Sequence, residues 1–295
     1  MELHQLRYLV AVVDEGSFTG AAAREHVSQS GVSAQVAKLE RELGQPLLVR
    51  HNRSISLTET GRAVMPLARN TLAALDAIRE AVDAVSGLRR GRVAVGMVRG
   101  CSIPPFLDAL AAFRSDHPGV DVTLAEADST DLEHDVLDGR LDVALIGYAG
   151  RPMPGLEVVE LISEPVAIAV PVGHRLARSK RVRLADLRDE ALLCLPVGTG
   201  VRAAFDRSCR RADVDLTVDL EASSPDAVLG LAERGAGVAV LSTSMAAGRD
   251  LVVQPIADAA SPAKLGLCRR VERGSVAADE LLERIAAAMG VRRAA

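Results

Sequence analysis

The sequence predicts a multidomain chain of α and α/β parts: an N-terminal winged helix-turn-helix, a long linker helix and a two-lobed α/β region. Three observations carry this. The first sixty or so residues hold three short amphipathic stretches, followed by two short apolar runs around His51-Asn52-Arg53. Residues 68–85 repeat apolar side chains at alternating spacings of three and four, the seam of paired helices. From Arg92 on, apolar runs of strand length alternate with helical patterns, an order that builds parallel sheet with crossover helices. A length of 295 residues fits two or three domains.

Composition sets bounds on function. The chain is 48% hydrophobic and 25% charged, with 2% aromatics and no Trp. Its cores must therefore be built from Val, Leu, Ile and Ala. A formal net charge of -4 rules out a global basic field. No apolar run approaches the roughly 20 residues that span a bilayer. MELHQLRYLV carries an acid early and lacks a basic n-region and a cleavage site, so no signal peptide or membrane partner is expected and the location is read as cytoplasmic. Cys101, Cys194, Cys209 and Cys268 form no CxxC and have no metal spacing; they are expected to be free thiols, with no metal and no cofactor.

Residues 1–58 are read as the winged helix-turn-helix. Leu6, Leu9, Val10 and Val13 mark a first helix, ended at Gly16. Ser17 caps a second helix running through Phe18, Ala21 and Ala22 to about His26, and Ser28 caps a third. In the third, Val32, Val36, Leu39 and Leu43 fall on one stripe. The opposite face carries Ser30, Ala34, Ala37 and Arg41, with Ser33 and Lys38 at its margins. That face is small and neutral to basic; it suits a major groove, or it is an ordinary solvated face. Leu47-Leu48-Val49 and Ile55-Ser56-Leu57 flank His51-Asn52-Arg53 and predict a hairpin with a basic tip. Local charge supports this side as the one that meets DNA. Residues 1–30 carry two basic against four acidic residues, and residues 34–62 carry five against three.

The stretches LRYLVAVVDEGSFTGAAA, VSQSGVSAQVAKLERELGQPLLVR and SLTETG resemble the DNA-binding domain of LysR-type transcriptional regulators. The resemblance implies major-groove contacts from Gln29, Ser30, Ser33, Gln35 and Lys38, and backbone or minor-groove contacts from Arg50 and Arg53. Three positions depart from the family pattern. Glu25 stands where Leu is frequent, Ala34 where Arg is common, and Gly31 where Ala is usual. Gly31 should cost up to about 1 kcal/mol of helix stability.

Residues 59–90 are read as the linker helix and hinge. Thr58 caps the helix, Pro66 is tolerated or kinks it slightly, and Ala68, Thr71, Leu75, Ile78, Val82 and Val85 form the seam. The seam suits pairing into a homodimer or homotetramer, or a helix packed on its own domain; the resemblance adds a linker helix that pairs two subunits and so sets the spacing of two recognition helices. GLRRG at 87–91 breaks the helix.

Residues 91–295 are read as the effector-binding domain. VAVGM, a helix from Pro104 to Arg114, DVTLA, a helix from Thr130 to Asp138, and VALI form one βαβαβ unit. VAIAV, a helix near Leu184, LLCL, a helix from Val201 to Arg211, LTVDL, a helix from Asp226 to Arg234, and VAVL form a second. KLGLCR and the helix Val276 to Met289 return to the first lobe. Lobe 1 is then about 91–162 with 267–295, and lobe 2 about 163–266. FLDALAAFRSDHPGVDVTLAE and LEHDVLDGRLDVALIG resemble the effector domain of the same family, itself similar to periplasmic binding proteins.

In open α/β sheets ligands bind beyond the carboxyl ends of the strands. The candidates for effector contact are Arg99, Gly100, Cys101 and Ser102, then Ser129 and Thr130, Gly147 and Tyr148, and Gly198 and Thr199. Helix N-termini after Ser102 and Thr199 would favour an anionic effector, and Arg99 could clamp a carboxylate. Ser102, Thr130 and Thr199 read equally as helix caps, and Arg99 as an exposed side chain.

A ligand-responsive transcription regulator is the reading these elements favour, and the family resemblance implies RNA polymerase as a further partner. A redox-sensing regulator acting through a cysteine, and a ligand-binding protein without regulatory output, are the alternatives. An enzyme is not expected. There is no nucleophile elbow, no HExxH and no phosphate-cradling glycine loop after a strand, and the six histidines are scattered.

Overall fold

The computed structural model describes residues 1–51, 54–85, 91–101, 103–271 and 275–291. Three helices open the chain: α1 (Leu3–Asp14), α2 (Phe18–Arg24) and α3 (Gln29–Leu43). Their apolar stripes meet in one core of Leu6, Leu9, Val10 and Val12 with Ala21, Ala22, Val32, Val36 and Leu39. Leu43 is exposed instead, because it falls in the last turn, beside the left-handed cap Gly44. Both expected caps form. Ser17 Oγ accepts from the Gly20 N–H at 3.0 Å and Ser28 Oγ from the Gly31 N–H at 3.1 Å. Glu25 is the half-buried C-cap of α2.

The wing is tied to α3 through Glu40, whose carboxylate accepts from the N–H groups of Leu47 (2.8 Å) and Leu48 (3.1 Å). Strands β1 (Leu48–His51) and β2 (Ser54–Leu57) pair antiparallel, with Leu48 opposite Leu57 and His51 opposite Ser54. His51 therefore belongs to the strand rather than the tip, and the pairing starts one residue later than the apolar run.

Helix α4 (Glu59–Val85) is 27 residues long, about 40 Å. Thr58 starts it, accepting from the Gly61 N–H at 2.9 Å and donating to the Pro46 carbonyl at 2.7 Å. A Cβ on Gly61 would strike the Leu47 carbonyl oxygen. Pro66 lies within the helix. Met65 and Ala68 are buried in the head core, so the free seam begins after Ala68; Ile78 is 63% exposed. The side chains of Val82 and Val85 lie outside the described residues. Arg69 leaves the helix to pair with Asp14 of α1. Beside it lies the turn at Gly139 (φ +72°), where a Cβ would sit 3.3 Å from Arg69 Cβ and 3.4 Å from Asn70 Oδ1.

Two five-stranded sheets follow. The first, in the order β4-β3-β5-β12-β6, comprises β3 (Gly91–Val98), β4 (Val120–Ala127), β5 (Val143–Tyr148), β6 (Leu156–Glu164) and β12 (Ala263–Arg270). α5 (Pro104–Asp116) and α9 (Val276–Ala288) cover one face around Phe106, Phe113, Leu281 and Ile285, and α6 (Ser129–Leu137) covers the other. β3 runs parallel to β4 and β5, while β12 is antiparallel to β5 and β6. β12 brings the chain back into the first sheet, beginning at Ala263 rather than at about 267. The second sheet, in the order β11-β7-β10-β8-β9, comprises β7 (Val166–Val170), β8 (Leu192–Cys194), β9 (Leu220–Glu221), β10 (Val238–Ser242) and β11 (Val252–Pro255). It packs on α7 (Gly200–Ala212) and α8 (Pro225–Glu233).

Lobe 2 departs from the predicted repeat. The helix near Leu184 is a pair of short 3-10 turns, Arg175–Arg178 and Leu184–Leu187. LTVDL shrinks to the two-residue β9, while the Asp219 carboxylate just before it accepts the Leu192 N–H at 2.8 Å. β6 and β11 were not expected, and β7 pairs antiparallel with both neighbours.

Candidate nucleic-acid face and inter-lobe site

On α3, Gln29, Ser30, Ala34, Lys38 and Arg41 are exposed and Ser33 is half-buried. The Ser28 cap holds Ser30 Oγ at 3.3 Å, which fixes the first turn that would enter a groove. Gln35 is placed differently. Its amide oxygen accepts from Gln5 Nε2 at 3.2 Å, and Gln5 is fully buried in α1. The pair ties α3 to α1, while Gln29, Ser30, Lys38 and Arg41 stand exposed on the helix. Arg53 lies outside the described residues, as does the Arg50 side chain, though Arg50 itself sits in β1 opposite Ile55.

The second site is built where the strand ends of the two lobes converge. The Ser129 N–H donates to the Gly198 carbonyl at 3.1 Å across the cleft. Ser129 Oγ accepts from the Gly147 N–H at 3.0 Å. Gly147 in turn lies against Gly200, the first residue of α7: a Cβ on Gly200 would come within 2.5 Å of the Gly147 carbonyl carbon and of Tyr148 N. Gly100 (φ +71°) faces Ser223 and Ser224, with room for a Cβ only 2.7 Å from the Ser223 oxygen. Backbone therefore touches backbone between the lobes, and the N-terminus of α7 is covered by the end of β5 rather than open to an anion.

The remaining candidates are distributed around this contact. Arg99 Nε lies 3.6 Å from Asp128 Oδ1, so the cation is already matched within its own lobe. Tyr148 donates to Glu160 Oε2 at 3.3 Å; burial, then the Glu160 charge, pushes the phenol up to about 12. Thr199 is buried at the N-cap position of α7 but makes no side-chain capping bond; its hydroxyl donates to the Pro196 carbonyl at 2.8 Å. Thr130 is exposed in the first turn of α6, whose N-cap is Asp128. Ser102 lies outside the described residues, and the cap of α5 is Ile103.

The sequence reading missed Ser223 and Ser224. Gly200 is the second glycine of the Gly-Thr-Gly turn, and two backbones can meet closely only where a side chain is lacking.

The thiols show no activation. Burial raises Cys101 to about 11, Cys194 to about 12, Cys209 to about 11 and Cys268 to about 12. All four are free. Reactive cysteines need the opposite shift. Among the described residues no group of three His, Cys, Asp or Glu could hold a metal, and no helix is long and apolar enough to cross a membrane.

Comparison with known proteins covers both halves of the chain. Residues 3–62 match the model for the bacterial regulatory helix-turn-helix protein, lysR family. Residues 86–290 match the LysR substrate binding domain. The transcriptional dual regulator GltC of Bacillus subtilis (strain 168) is 31% identical over 244 residues, covering 83% of this chain and 81% of that protein. A full-length OxyR variant from Pseudomonas aeruginosa superposes with a TM-score of 0.74 at 26% identity, covering 98% of this chain and 94% of the other. Full-length CbnR in complex with its target DNA superposes with a TM-score of 0.58 at 26% identity, covering 98% and 100%.

Proposed function

Because this chain belongs to the LysR family of transcriptional regulators, we propose that it reads operator DNA through Gln29, Ser30 and Ser33 and is switched by a small molecule entering between Gly147 and Gly200. The chain carries a helix-turn-helix head and an effector-binding domain. Gln35 supports the reading helix through Gln5, while Lys38, Arg50 and Arg53 hold phosphates. The observation that carries the switch is the direct contact of the two lobes at Gly147–Gly200 and Ser129–Gly198. A ligand there must part these backbones, so it binds the open and closed arrangements differently, as any switch requires. Arg99 and Asp128 flank the entry, with Gly100, Cys101, Thr130, Tyr148 and Thr199 around it; an anionic effector would take Arg99 from Asp128.

The working unit is a homodimer or homotetramer joined through α4, located in the cytoplasm, with RNA polymerase as its further partner. The raised thiols favour this over a cysteine-based redox switch.

The test is a footprint of the full-length protein on the DNA upstream of its own coding region, compared with Gly200→Ser. Two protected half-sites are expected, centred roughly 10 bp or a multiple apart. The variant, its lobes held apart, should keep the protection over the half-sites and change the pattern between them without any added ligand. An identical footprint from both proteins would remove the inter-lobe contact from the mechanism.

A further inference from the structure

Lobe 2 carries a charged strip that neither DNA reading nor effector binding uses. Between Arg175 and Arg188 the sequence RLARSKRVRLADLR holds six cations and one acid. All six cations are exposed. Arg175 is taken by Glu190, Nε to Oε1 at 2.7 Å. The other five, Arg178, Lys180, Arg181, Arg183 and Arg188, have no acidic partner among the described residues.

The strip is rigid from behind. Leu176, Val182, Leu184 and Leu187 are buried beneath it in the lobe core. Gln254 Nε2 donates to the carbonyls of Leu176 and Ala177, each at 3.0 Å, and Asp258 accepts the Leu184 N–H at 2.9 Å. Val182 forms a parallel bridge with Ile256, so the segment is extended there. Arg181 and Arg183 then point to one side, roughly 7 Å apart. The strip lies along the β11 side of the sheet, opposite the β9 edge.

Five unpaired cations held in place are an anion-binding surface. The partner they fit follows from the charge of the head. Residues 1–62 contain seven Arg and Lys and seven Asp and Glu, so the head attracts DNA through local placement alone. The whole chain is at -4. A strip this basic in such a chain supplies what the head lacks.

We propose that the lobe 2 strip binds the phosphate backbone of duplex DNA flanking the operator, engaging DNA that the head does not cover. This rests on the head binding DNA through α3, and the test separates the two. Full-length protein and the variant with Arg178, Lys180, Arg181 and Arg183 all changed to Gln are titrated onto two duplexes over a range of salt. One duplex is trimmed to the two half-sites and the DNA between them; the other is extended by about two helical turns at each end.

Binding of the trimmed duplex by both proteins checks α3 alone. On the extended duplex the variant should bind at least about tenfold more weakly at low salt, with a salt slope shallower by roughly 3–4, near 0.9 per lost phosphate contact. The all-Lys variant at the three arginines should keep the wild-type slope, since charge and not side-chain shape is required. Equal affinity and slope for wild type and the Gln variant on the extended duplex would overturn the proposal. So would an equal loss on both duplexes, or charge-dependent retention on a polyglutamate surface without any change on DNA, which would point to an acidic protein instead.

Discussion

Gly31 sits at the third position of α3, and two opposing effects meet there. Replacement by Ala would gain about 1 kcal/mol of helix propensity. The added Cβ would lie 3.0 Å from Ser28 Oγ, the acceptor of the Gly31 N–H, and a disturbed N-cap loses about 1 kcal/mol. Gly31→Ala should therefore leave the unfolding midpoint of the head nearly unchanged, within about 0.5 kcal/mol of wild type. A clear rise in urea midpoint would mean that the Ser28 cap is dispensable.

Asp142 gives a pH dependence. Its carboxylate accepts the Ala94 N–H at 2.8 Å, yet burial raises its pKa more than that bond and the nearby Arg270 and Arg92 lower it. The folded protein thus holds this proton more tightly than the unfolded chain does. The ionised form is disfavoured in the fold, so stability is lost as pH rises from the unfolded value of about 3.9 through the raised folded one. Asp142→Asn keeps an acceptor for Ala94 and removes that loss. Lobe 1 should be more resistant to denaturant than wild type at pH 7, with the difference vanishing in acid; a variant less stable at pH 7 would show that the Arg270 and Arg92 attractions dominate.

At the scale of elements, the linker helix divides into two parts. Its first turns belong to the head core through Met65 and Ala68. Further along, Ile78 projects an unpartnered side chain, as a position reserved for a second helix does. Ile78→Glu should shift full-length protein toward monomer by sedimentation and weaken operator binding together with it. Unchanged oligomer size would place the subunit interface elsewhere.

The elements that were legible are those whose signal is local. Ser17 and Ser28 announce their helices, and the stripe of α3 announces its core face. β6 was hidden because its charges interrupt the apolar pattern, and they are answered far away in sequence: Glu157 by Arg269 at 2.8 Å and Glu160 by Lys264 at 2.5 Å, both on β12. No window along the chain contains both partners. The strand ends beside the cleft were legible as a set, because topology fixes them. Their contact was not, because the meeting of Gly147 with Gly200 depends on how the lobes close.

At the scale of the whole molecule, charge is distributed unevenly. The head is neutral overall, the cleft holds a matched Arg99–Asp128 pair, and cations without an acidic partner among the described residues gather on lobe 2. A single net figure of -4 conceals all three.

The turn at Gly139 has a consequence of its own. It rests on α4 at Arg69 and Asn70, and Arg69 grips Asp14 of the head from the other side. Lobe 1 and the head are therefore geared rather than tethered. A lobe that rolls on this fulcrum must either carry Arg69 with it or slide past it, and in both cases the load reaches α1 within one side chain.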